Sequence, residues 1–154
     1  MFEKSKLGLL AAAAVLICGC GGESDPGTPD GPPKCTEGGS VCALLHVPTS
    51  LTSTPRQLAV GFYETLPVTG PPDYMADLID DPEISATHPL PFEVHDCLKK
   101  PAEYYLYFVL YMQGGGSWIP EAGVDYIART QDKMMFGAGP VNLDDITLTL
   151  AVEE

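Results

Sequence analysis

Tyr104-Tyr-Leu-Tyr-Phe-Val-Leu-Tyr-Met112 decides the fold: nine aromatic or aliphatic residues in a row without a charge. A strand presents successive side chains to opposite faces, so a run that is apolar at every position must be covered on both. Tyr, Phe and Val favour a pleated, packed surface. The stretch predicts the central strand of a β-sandwich, ended by Gly114-Gly-Gly116. Upstream, Arg56–Leu66 places Leu58, Val60 and Phe62 on one face and Gln57, Ala59, Gly61 and Tyr63 on the other, the two-residue period of a half-buried strand. Val41–Val47, Pro91–Cys97, Gly123–Thr130 and the region from Val141 read as further short strands. Ile146, Leu148, Leu150 and Val152 alternate with Thr147, Thr149 and Ala151 in a closing strand. Pro and Gly turns separate these pieces. The predicted class is all-β, an antiparallel sandwich of about six to eight strands. One stretch differs. In Asp73–Asp81, Tyr74 with Leu78 and Met75 with Ile79 are i,i+4 pairs and Asp73 can cap an N-terminus, which predicts one short helix or a pair of turns stopped by Pro82.

The chain opens MFEKSKLGLLAAAAVLICGC. Lys4 and Lys6 precede an uncharged apolar run, Leu7–Ile17, too short for the ~20 residues that span a bilayer. It reads as the hydrophobic region of a secretory signal. The run ends in Ile17-Cys18-Gly19-Cys20, which resembles the lipobox of bacterial lipoproteins. The resemblance implies cleavage after Gly19, lipid on the sulfur and amine of Cys20, and attachment to the cell envelope. Gly21, where Asp would retain such a protein at the inner membrane, implies the outer membrane. Residues 21–34, GGESDPGTPDGPPK, hold no large apolar side chain and read as a tether reaching ~45 Å if extended at ~3.1 Å per residue. The expected organisation is a signal peptide over 1–19, a lipidated cysteine and tether over 20–40, and a β-sandwich over 41–154.

The formal net charge is −13; removing residues 1–19 leaves 6 basic and 20 acidic residues, a net of −14. Such a surface repels phosphate backbones and offers no basic patch, so nucleic acid is not an expected partner. It also repels anionic headgroups, which leaves membrane attachment to the lipid on Cys20. Without Cys18 and Cys20, three cysteines remain in an oxidising compartment: Cys35, Cys42 and Cys97. Three is odd, so one bridge and one leftover thiol is the simplest arithmetic. The short loop with its Gly38-Gly39 turn favours Cys35–Cys42, with the two pairings to Cys97 as alternatives. No C-x-x-C pair supports zinc, and His95-x-Cys97 is a fragment of a site.

Taken in order, the two-sided aromatic strand, the Gly-rich turn, Ile119-Pro120, Gly123-Val124-Asp125-Tyr126, Phe136-Gly137 and the alternating last strand resemble the transthyretin-like and carboxypeptidase-regulatory-like sandwich domains. The resemblance covers roughly residues 56–152. It implies an immunoglobulin-like topology and no catalytic residues. Many related modules carry an acidic turn after the aromatic strand; here that turn is Gln113-Gly-Gly-Gly-Ser117.

Chemistry-bearing constellations are sparse. His46, His88 and His95 sit on separate predicted elements without ligand spacing. No G-x-S-x-G elbow exposes a nucleophile, and Ser85 or Ser117 would need a histidine and an orienting carboxylate beside it. Asp77, Asp80, Asp81 and Glu83 form the densest acidic cluster and are weak calcium candidates, since they lack the D-x-[DN]-x-[DN]-G order. Asn142, Asp144 and Asp145 read as a turn. Trp118, beside the triple glycine, and Tyr74 are the interaction candidates, because aromatic anchors dominate interface energetics. The sequence thus predicts a membrane-anchored envelope lipoprotein, not an enzyme and without a cofactor, acting as a structural or protein-interaction module. The alternative is a lipoprotein that binds a small ligand, carbohydrate or calcium.

Overall fold

The computed structural model describes residues 32–95, 98, 100–115 and 118–153. The signal-like stretch, Cys20, most of the tether, Cys97 and Ser117 lie outside the described residues. Nine strands follow one another: β1 (Val41–His46), β2 (Gln57–Tyr63), β3 (Tyr74–Asp80), β4 (Leu90–Val94), β5 (Ala102–Tyr111), β6 (Tyr126–Arg129), β7 (Met134–Phe136), β8 (Val141–Thr147) and β9 (Thr149–Leu150). They form a three-stranded sheet ordered β4-β1-β8 and a six-stranded sheet ordered β3-β2-β5-β6-β9, with β7 also on β5. Every pairing is antiparallel except β1 with β8. The chain is therefore an all-β sandwich.

β5 is the central strand its composition predicts. One edge pairs with β2; the other pairs with β7 over Ala102–Tyr104 and with β6 over Tyr107–Leu110. Tyr104, Leu106, Phe108, Leu110 and Met112 face inward, joining Leu58, Val60 and Phe62 of β2 and Val41, Ala43 and Leu45 of β1 in the main core. Phe62 meets Phe136 edge-on at 4.9 Å, and Phe92 of β4 reaches across to Phe108 at 5.5 Å. Such tilted pairs add to the burial of the rings themselves. The alternate residues of β5 form a second, smaller cluster on the outer face: Tyr107, Val109 and Tyr111 with Ala59 and Tyr63 of β2. Val109 is therefore buried on the outer face of the large sheet and not between the sheets.

The structure corrects three expectations. Asp73–Asp81 is no helix or turn pair: Tyr74–Asp80 is edge strand β3, paired antiparallel to β2. Its register shifts between Val60 and Gly61, so that Asp77 and Met75 oppose consecutive β2 residues and Ala76 is left over as a bulge. A bulge slips the alternation by one. Tyr74, Asp77 and Ile79 then share one face while Met75, Leu78 and Asp80 share the other, so the i,i+4 pairs Tyr74 with Leu78 and Met75 with Ile79 are split between faces and the slip hides the two-residue period of the strand. The closing strand is also divided. β8 runs parallel to β1 in one sheet and β9 pairs with β6 in the other, with buried Leu148 at the crossing. Together with the short β7, this division raises the strand number to nine.

Cys35 and Cys42 form a disulfide. Cys42 is on β1 opposite Glu93 and Asn142, and the Asn142 side chain accepts the Cys35 N–H at 2.7 Å. The bridge fastens the entering chain across the small sheet.

Candidate functional site

Six strands on one side and three on the other leave the outer face of the larger sheet to be covered by loops. Two loops do this incompletely. Residues 64–72, between β2 and β3, fold back so that Pro72 sits on Gly61; a Cβ at Gly61 would lie 2.6 Å from the Pro72 Cβ. The Tyr63 hydroxyl donates to the Gly70 carbonyl at 3.4 Å, and Asp73 accepts the Glu64 N–H at 2.7 Å. The second cover, between β5 and β6, lies down where Gly115 meets Gln57 and Tyr111. Glycine at 61 is thus a condition of the first contact, whereas at 115 a side chain would mainly displace the flexible end of Gln57.

Asp125 fixes the second loop from below. It is 3% exposed, and its two oxygens accept the N–H groups of Met112 at 2.9 Å and Glu121 at 2.8 Å. Its own backbone pairs with Ala151, which ties the C-terminal segment to the same corner. Trp118 on this loop has φ +60°, a left-handed conformation costly for a bulky residue at ~1–3 kcal/mol. Packing of its half-buried indole against the outer tyrosine cluster offsets that cost.

Between the covers an apolar groove of about 490 Å³ stays open. Tyr107 and Ile127 form its sheet side, Leu66–Val68 and Ile119–Ala122 its two walls, and Ala151–Glu153 its C-terminal rim, with Arg129 beside Tyr107 in register. Ile119 and Val152 are 55% and 74% exposed, two of the most exposed large apolar residues described. Next to the groove the tyrosines are electrostatically unusual. Burial first, then the Asp125 charge, pushes the Tyr111 phenol up to about 12. Among the described residues its hydroxyl has no hydrogen-bond partner; the Trp118 backbone acts on it in the opposite, lowering direction without reaching bonding geometry. Burial and then Tyr111 raise Tyr63 as well.

The interaction candidates do not share a surface. Tyr74 opposes Phe62 on the inner side and packs edge-on against Tyr104 at 5.6 Å, 52% exposed at the sheet edge. Trp118 lies on the outer face. The weak calcium candidates do not converge either. Asp80 accepts from Gln57 at 2.7 Å, Asp77 accepts the Leu78 N–H at 2.8 Å, and Asp81 faces Arg56 at 3.8 Å. Glu83 and Asp81 line a second groove with Ser53, Ser85 and Thr87. Among the described residues the one close group of metal-ligand types is Cys35, Cys42 and Glu93, whose two sulfurs are already joined.

One arrangement escaped the sequence. The Ser40 hydroxyl lies 2.7 Å from His95 Nδ1, and His95 Nε2 lies 3.2 Å from Glu93. It has the membership of a nucleophilic triad. Ser40 is only 1% exposed, however, and neither groove includes it or His95. A nucleophile needs a substrate beside it. This trio instead pins the disulfide loop to the end of β4. His46 similarly bonds Asp145 across β1 and β8 at 2.9 Å.

The groove was hidden because its walls come from five separate segments that share no motif. The available signal was the second apolar face of β5, together with Leu66, Val68 and Ile119 in otherwise polar or Pro-rich loops. Fold and site define a disulfide-fastened β-sandwich of unequal sheets with a groove on its larger outer face. Comparison with protein-family models, curated proteins and solved structures gives no match.

Proposed function

We propose that this chain is a lipid-tethered, non-catalytic module of the bacterial cell envelope, held at the outer membrane through Cys20, that works by contact with an envelope partner. The observation that carries this reading is the half-covered outer face, where Ile119 and Val152 stand exposed around an apolar groove. Exposed apolar patches rimmed by polar residues mark interaction sites more often than they occur by chance. The lipobox-like Ile17-Cys20 and the Gly- and Pro-rich tether support the anchoring part. Among the described residues no helix is long and apolar enough to cross a membrane. The transthyretin-like kinship belongs to the same proposal; within its Gly123–Tyr126 segment, Asp125 acts as a loop organiser. Neither groove is lined by Ser40 or His95, which supports reading the grooves as binding surfaces.

A photo-reactive residue at position 119 of the full-length chain, in its own envelope, tests the reading. It should give a discrete adduct that a probe at Asp144, on the opposite sheet, does not give. Cys20→Ser should abolish fatty-acid incorporation and the adduct together. Equal labelling of wild type and Cys20→Ser would refute the anchor, and identical adducts from both probes would refute the face.

A second reading, small-ligand binding, is favoured by the size of the groove. Its volume lies within the ~300–1,000 Å³ common for ligand pockets, and its lining is mostly apolar with few polar groups.

A further inference from the structure

We propose that the groove takes a single hydrocarbon chain bearing a carboxylate, with the chain between the two covering loops and the head on Arg129. The inference rests on the small-ligand reading and names the chemical class of its ligand.

The walls select hydrocarbon over peptide. Leu66, Val68, Ile119 and Ile127 supply apolar contact, and both walls carry a proline, Pro67 and Pro120. Proline has no N–H to donate, so a peptide laid along these walls would meet few partners for its carbonyls. Desolvated carbonyls without partners weaken binding, whereas methylenes lose nothing there.

The head is selected by charge. The described cations are Lys34, Arg56, Lys100, Arg129 and Lys133. Arg56 faces Asp81, and Lys133 lies over the Tyr105 ring at 5.9 Å. Arg129 forms no ion pair with a described carboxylate, and it sits opposite Tyr107 on the groove face. A guanidinium binds a carboxylate through two parallel hydrogen bonds. Glu153 lines the same groove and competes for that cation. None of the other described cations lines the groove, so within it a carboxylate head has Arg129 as its counter-charge.

Trp118, the sole tryptophan, adjoins Ile119 at the groove and reports binding. The full-length chain is titrated with chain-brominated decanoate, dodecanoate, dodecanol and dodecylamine, each below its micelle concentration, and quenching of Trp118 fluorescence is read. Dodecanoate should bind tightest, and each methylene from decanoate upward should gain about fourfold in affinity. Arg129→Gln should weaken dodecanoate about threefold to fivefold and leave dodecanol unchanged, the modest ratio reflecting an exposed pair. Glu153→Gln should tighten dodecanoate. If dodecanol matched dodecanoate and Arg129→Gln changed neither, the carboxylate assignment would fall while small-ligand binding survived. Tightest binding of dodecylamine would also overturn the assignment. Absence of quenching by all four would remove the small-ligand reading with it.

Discussion

Replacing Asp125 by alanine should cost about 2–4 kcal/mol of stability, out of the ~5–15 kcal/mol typical of a domain. The figure follows from its two acceptor bonds. The Met112 N–H is fully buried and would be orphaned, at ~1–3 kcal/mol. The Glu121 N–H is partly buried, so water would replace some of its lost bond and its share is smaller. Asn at the same position keeps one acceptor oxygen and turns an amide N–H₂ toward the other donor, so it should recover roughly half the loss. Urea unfolding of the full-length chain measures this as a midpoint lowered by on the order of 1–2 M with the slope unchanged. Trp118 provides a second readout, because Asp125 holds the loop that carries it. Its emission should shift red in Asp125→Ala at urea concentrations below the main transition. A variant within ~0.5 kcal/mol of wild type, with unshifted Trp118 emission, would show that the loop stands without Asp125 and refute the argument.

Two neighbouring residues of β5 should respond differently to a buried charge. Leu110→Asp places a carboxylate between the sheets and should leave no cooperative thermal transition, whereas Val109→Asp, covered only by loops, should still fold with a lowered midpoint and exposed Trp118; equal melting of the two would contradict the assignment of faces. Stability should also fall in alkali. Tyr111 holds its proton more tightly folded than unfolded, so its contribution, up to about 2 kcal/mol, is fully present below the unfolded pKa near 10 and is lost as pH rises through about 12. Tyrosinate absorbance should show Tyr111 ionising with unfolding, and a Tyr111→Phe variant with the same alkaline midpoint as wild type would rule this out.

Legibility in the sequence depended on whether a pattern was local. The nine apolar residues of Tyr104–Met112 announce a strand covered on both faces, and every neighbour confirms it. The two faces of β2 were equally readable, and the Cys35–Cys42 loop was short enough to favour its own closure. β3 was misread because a single bulged residue, Ala76, changes the period, and nothing in the sequence marks which of Tyr74–Asp80 is left unpaired. The alternation of Ile146–Val152 was real, yet alternation identifies a face and not a sheet, so the crossing at Leu148 was invisible. Trp118 was singled out for its glycine neighbours, but the cluster it packs against draws on β2 as well as β5 and faces outward only because the alternate residues of both strands face in.

The groove follows from the mismatch between the sheets. A three-stranded sheet can bury only the inner face of a six-stranded one, so an apolar outer face on β5 has to be covered by connections. Each connection comes close to the sheet at one point: Pro72 packs on Gly61, where a Cβ would collide with the proline ring, and Gly115 lies over the flexible side chain of Gln57. Two such points fix two loops and leave a groove between them, lined on the sheet side by Tyr107, Ile127 and Arg129. A chain selected only to protect its strand could have placed a bulky apolar side chain there in place of Arg129, or closed the space with a third loop. Instead the position beside Tyr107 carries a guanidinium on an otherwise acidic molecule, and the wall beside it is held by a tryptophan in a costly left-handed turn. Packing of the Trp118 indole on the outer tyrosine cluster offsets the cost of that turn, so the turn and the wall it holds stand or fall together.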